Sequence, residues 1–235
     1  MFATGAQTPL LALFSLRRPR NLFVVAFPYV ALGVVLVPLA GFTGLAFLVL
    51  GPSPLIGGRL APLVGARQDR VGALGVATLV IAFVLLLGAM PSAAGVLQPA
   101  IIAFVAGLVL AGTVPTVRDR LLPLLDGARY VAMAVILVIL AVLGGPTLEW
   151  GSVAIAAGVL VVGTFAAAVI AFVMRADPLS AALGAGTRDP VVAGALLIAI
   201  GRDDALGIPL GYAGFLAVAL LALGLGRKLV VRYGA

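Results

Sequence analysis

Residues 178–201 read PLSAALGAGTRDPVVAGALLIAIG. A helix needs roughly 20 mostly apolar residues to cross a hydrocarbon core about 30 Å thick, and this run is long enough. Its centre, however, is Gly184-Ala185-Gly186-Thr187-Arg188-Asp189-Pro190. Proline lacks an amide proton and clashes with the preceding turn, while glycine adds backbone freedom. An Arg or Asp at the centre of a membrane helix costs about 2.5–3.5 kcal/mol on insertion scales. These residues together predict a span broken at mid-membrane. Such irregular backbone is tolerated only where protein or a cavity satisfies its amides and carbonyls.

A second run carries the same marks. Residues 43–66, TGLAFLVLGPSPLIGGRLAPLVGA, are interrupted by Gly51, Pro52 and Pro54, then by Gly57, Gly58 and Arg59. Arg59, Arg188 and Asp189 are therefore ionisable residues inside apolar segments, and all three fall in the two interrupted ones. Adjacent side chains on a regular helix point apart, so the expected partner of Asp189 is Arg59 rather than Arg188. Two guanidiniums against one carboxylate leave a positive site, and guanidinium binds carboxylate, sulfate or phosphate bidentately. The expected binding residues are Arg59, Thr187, Arg188 and Asp189, with a small organic anion as substrate. Helix-breaking is expected of Gly51, Pro52, Pro54, Gly57, Gly58, Gly184, Gly186 and Pro190. The same charges also fit a structural ion pair, with Arg59 snorkelling to an interface about two turns away.

The rest of the chain fits this frame. Of its 235 residues, 63% are hydrophobic and 10% charged, against about 25% charged in soluble domains. Mean hydropathy is +1.28. The expected fold class is an all-α integral membrane protein of about eight transmembrane helices, in one transmembrane domain spanning 1–235. The spans fall near 22–39, 43–66, 71–90, 98–116, 130–143, 152–174, 178–201 and 210–226, continuous rather than alternating in period two. Loop charges sort cleanly onto two sides. Arg17, Arg18, Arg20, Arg67, Arg70, Arg118, Arg120, Arg129, Arg175, Arg227, Lys228 and Arg232 fall on one side, and Arg202 alone on the other. By the positive-inside rule this places both termini in the cytoplasm, here of a bacterial inner membrane. Trp150, Tyr130 and Tyr212 are expected at interfaces. Spans 22–90 and 152–226 then form two triplets of opposite topology, an inverted repeat whose middle members are the broken, crossing helices. The pair within 98–145 lies between them. Broken spans in corresponding places of two inverted halves point to a secondary-transporter binding site.

Composition also excludes much. With no Cys and no His, thiol chemistry, disulfides and the commonest metal ligand and general base are unavailable. No metal or cofactor is expected, and no enzyme activity. The net charge of +7 reads as basic loops rather than as a nucleic-acid surface. The basic residues Arg17, Arg18 and Arg20 follow a short apolar run instead of preceding it, unlike a signal peptide.

The run Gly184-Ala-Gly-Thr-Arg-Asp-Pro-Val-Val-Ala-Gly-Ala-Leu resembles the broken ninth helix of the bile acid:sodium symporter family. Ser53-Pro-Leu-Ile-Gly-Gly-Arg-Leu, followed by Ala66-Arg-Gln-Asp, is similar to its broken fourth helix and the loop after it. Arg17-Arg-Pro-Arg resembles the lead into its third helix. The resemblance implies a core domain built from 22–90 and 152–226, with 98–145 as half of a panel domain. The family's first two helices have no counterpart, which fits a misplaced start, a fragment or a reduced protein. Where the family ends its fourth-helix pattern in Ala-Ser-Asn, with Ser and Asn serving sodium, the matching positions are Arg59 and Leu60. Where its ninth helix carries Glu, then Gln, then Asn, this chain has Gly184, Arg188 and Asp189. Fixed guanidiniums repel a sodium ion, so sodium-independent anion transport is expected. The alternative is a membrane structural or assembly partner, or a degenerate transporter fragment, since abundant Gly and Ala let helices pack closely. The missing panel helices favour partnering or homo-oligomerisation over independent transport.

Overall fold

The computed structural model describes residues 13, 15–32, 61–62, 64–89 and 91–233. They are helical, with no strand among them. Helix α1 is Pro19–Leu32, α2 is Gln68–Ala89 and α3 is Pro91–Thr113. Helix α4 is Pro115–Gly144 and α5 is Trp150–Val173. A short α6, Pro178–Ala181, runs into a π-helical turn, Ala182–Gly186. After an extended stretch come α7, Pro190–Ala199, and α8, Gly207–Tyr233.

Five of these stretches are long and apolar enough to cross a membrane: Gln68–Leu85, Pro115–Thr147, Trp150–Val173, Pro178–Ala199 and Asp203–Leu225. They match the expected spans at 71–90, 130–143, 152–174, 178–201 and 210–226. Two shorter apolar helices, Pro19–Leu32 and Ile101–Thr113, match the expected 22–39 and 98–116. The expected span at 43–66 falls almost wholly outside the described residues. The lateral surface is apolar, with Phe172 76% and Val142 68% exposed. Such faces suit lipid, whereas a soluble protein rarely leaves so large a patch bare.

Charge patterning misplaced one boundary. The polar stretch before Tyr130 is not a loop, because α4 begins at Pro115 and runs without interruption through Arg118, Asp119, Arg120 and Asp126. Thirty residues at 1.5 Å each span about 45 Å, more than the hydrocarbon thickness. A helix need not stop where the lipid stops, and Leu, Arg and Ala favour its continuation into water.

Small residues hold the interior together. Helix α5 buries Ala156, Val159, Gly163, Ala166, Ala167 and Ala171 along one face. That face packs against the π turn and α8. Gly163 and Gly186 meet backbone to backbone. A Cβ on Gly186 would lie 2.6 Å from the carbonyl oxygen of Gly163 and 2.6 Å from the Cα of Thr164. On the other flank, a Cβ on Gly184 would lie 2.9 Å from the carbonyl oxygen of Val71 in α2. The broken span is thus clamped between α2 and α5.

Two ends can be told apart. At one, the Arg67 amide donates to Ser180 Oγ (3.0 Å), joining the turn before α2 to α6. At the other, the Gly207 amide donates to Thr147 Oγ1 (2.7 Å), joining the α4–α5 turn to the α7–α8 turn. Helix α7 closes there on Gly201 at φ +69, with the Arg202 amide reaching back to the Leu197 carbonyl.

Candidate functional site

Asp-Pro starts a helix twice in the broken span. Asp177 caps α6, accepting from the amides of Leu179 and Ser180, with Pro178 in the first helical position. Asp189 caps α7 in the same way. Its Oδ1 accepts from Val191 N (2.9 Å) and Val192 N (3.3 Å), and Pro190 has no amide to satisfy. Pro190 is therefore the start of a half-helix as much as the end of the previous one.

Between the halves, Thr187 and Asp189 take extended backbone angles (ψ 160° and 108°). Polar groups exposed by the break find partners within a few residues. The Thr187 amide donates to Ala182 O (3.0 Å) and its hydroxyl to Leu183 O (2.5 Å). Arg188 Nη1 donates to Ala185 O (2.8 Å) and Thr187 O (3.0 Å). The Arg188 amide donates to the hydroxyl oxygen of Tyr212 on α8 (2.8 Å). A cation therefore sits on the carbonyl end of one half and a carboxylate on the amide end of the other, each opposite in sign to its helix terminus.

Arg188 and Asp189 are both fully buried, and Thr187 is 2% exposed. Arg188 is the largest side chain buried to this degree among the described residues. Its guanidinium lies over the ring of Tyr29, with Cζ 4.5 Å from the centroid, a cation–π contact strengthened by dryness. Tyr29 is fixed in turn by donating from its hydroxyl to Thr78 O (3.0 Å) in α2. Arg188 Nε and Nη2 have no hydrogen-bond partner among the described residues. These two nitrogens share one edge of the guanidinium plane, the edge that grips a carboxylate or phosphate with two parallel bonds.

The structure brings Thr187, Arg188, Asp189, Gly184, Gly186 and Pro190 together at the break. Gly184 and Gly186 lie in the π turn before it, where their missing side chains admit α2 and α5. Arg59, Gly51, Pro52, Pro54, Gly57 and Gly58 lie outside the described residues, and so does the expected Arg59–Asp189 pair. Tyr212 was expected at an interface. It is instead fully buried against the break, because α8 begins at Gly207 and carries its second turn inward. Tyr29 was missed altogether. Its contact with Arg188 spans most of the chain, and no local pattern signals it.

No family model matches the chain, and comparison with curated proteins also finds no match.

Proposed function

We propose that this protein is a secondary-active carrier of a small organic anion, with Arg188 holding the anion at the centre of the membrane. One observation carries the reading. A fully buried guanidinium is anchored on one side by two carbonyls and an aromatic face, while its bidentate edge, Nε and Nη2, lacks a partner among the described residues. Leaving buried charged donors unmade is expensive, so an oxyanion that docks there is strongly favoured. The half-helix ends at the same place resemble the discontinuous spans with which transporters bind substrate at the midplane.

On this reading the chain is a divergent relative of the bile acid:sodium symporters, with eight spans. Two inverted triplets, 22–90 and 152–226, make the core, and the pair within 98–145 is panel-like. Arg59 adds a second positive charge from the other broken span. Gly184 and Arg188 stand where the family has oxygen ligands for sodium, so most of those oxygens are absent, a guanidinium repels the cation, and transport runs without sodium. The basic end faces the cytoplasm of a bacterial inner membrane.

Uptake of organic anions into proteoliposomes tests this. Arg188→Gln is expected to reduce anion uptake or binding at least tenfold, and exchanging sodium for potassium is expected to change neither. A second reading, a non-transporting assembly partner, is favoured by the way Arg188 and Asp189 satisfy the ends of their own helix. Absence of substrate-dependent flux from well-folded protein, together with unchanged anion binding in Arg188→Gln, would establish that reading and reject the carrier.

A further inference from the structure

A cavity of about 100 Å³ opens at the end of the molecule where the broken span begins, away from Arg188. Four arginines line it, brought from three separate stretches of chain. Arg18 and Arg20 come from the start of α1, Arg70 from the first turn of α2, and Arg175 from the turn between α5 and α6. Among the described residues none of the four forms an ion pair, and Arg20 Nε is buried without a hydrogen-bond partner. Asp177, the one carboxylate among the described lining residues, keeps its charge but spends its oxygens on neutral donors. Its Oδ1 accepts from two amides of α6 and its Oδ2 from the hydroxyl of Ser180 at 2.5 Å.

Four arginines around so small a space, against the single carboxylate of Asp177, leave a net positive charge that favours an anion there. The volume is well below the ~300–1,000 Å³ of pockets for drug-sized ligands, so it suits a compact oxyanion. Helix starts and interhelical turns form its walls, which places it at the membrane rim, where basic pockets between membrane helices engage phosphate headgroups. We propose that this cavity binds a phosphate group, carried by an anionic lipid headgroup or free in solution. It is separate from the anion site at Arg188 and does not depend on transport.

Native mass spectrometry of the purified full chain tests this, with phosphatidylglycerol, phosphatidylcholine and inorganic phosphate as probes. Wild-type protein is expected to bind phosphatidylglycerol or inorganic phosphate at least tenfold more tightly than phosphatidylcholine. Retention of phosphatidylglycerol alone assigns the site to lipid, and retention of inorganic phosphate alone assigns it to the free ion. Arg20→Gln/Arg70→Gln is expected to abolish that preference. Arg118→Gln/Arg120→Gln, at the start of α4 outside the cavity, and Arg188→Gln are expected to retain it. Should the first double variant fail to fold, Arg175→Gln, on an exposed side chain, is expected to weaken binding alone. No preference in wild-type protein, or equal loss in the two double variants, overturns the proposal.

Discussion

At the scale of single residues, the two tyrosines around Arg188 do different work. Tyr212 supplies the oxygen that accepts the Arg188 amide, in a place where that amide has left the helical ladder. Tyr212→Phe strands a buried donor, so a loss of about 1–3 kcal/mol is expected, read as a lower melting temperature in detergent. Tyr29→Phe keeps the ring over the guanidinium and removes only a second bond to a carbonyl inside α2. Its cost is expected to be smaller, and the reverse order would show that the break is not held by Tyr212. The sequence made Arg188 and Asp189 conspicuous because charge in an apolar run is costly wherever it lies. It left the tyrosines silent, since an amphipathic ring suits an interface as well as a core and only the fold brings positions 29, 188 and 212 together.

At the scale of elements, the broken span was legible because its signals are local: prolines, glycines and a charged pair at the centre of an apolar run. The reason for its glycines was not. Gly186 matters for the approach of α5, where a methyl group would meet backbone atoms that cannot yield. Gly186→Ala and Gly163→Ala are therefore expected to cost about 1–3 kcal/mol each, as overpacking of a close contact does. Gly158→Ala, on the same helix with nothing within 4 Å of its would-be Cβ, is expected to be neutral or to stabilise by about 0.5–1 kcal/mol. Chemical unfolding of the three variants in one detergent gives the comparison, and equal effects would dismiss the clamp. The turn after α5 makes the opposite case. Arg175 closes that helix at φ 52, where glycine is the unstrained choice. The length of α4 was misread for a related reason: charge marks the edge of the lipid, whereas helix ends depend on caps and prolines.

For the whole molecule, sorting loop charges onto two sides predicts which turns share an end. The cavity lined by Arg18, Arg20, Arg70 and Arg175 gathers the start of α1, the start of α2 and the α5–α6 turn at one end. The Thr147–Gly207 bond gathers the α4–α5 and α7–α8 turns at the other. Among the described spans from α2 to α8 each reverses the chain, so a miscount there would have mixed the groups. Which end faces the cytoplasm rests on the positive-inside rule alone, and the absence of native cysteine makes that directly testable. Gln68→Cys and Asp119→Cys place a thiol at the basic end, while Glu149→Cys and Asp203→Cys place one at the opposite end, all four at exposed or half-exposed positions. In intact bacterial cells a membrane-impermeant maleimide is expected to label the second pair and to reach the first only after permeabilisation. The opposite pattern would invert the protein in the membrane, and labelling of one member from each pair would break the sorting itself. Either result bears on the carrier reading, since two inverted halves require the ends of α2 and α5 to face the compartments that this labelling assigns.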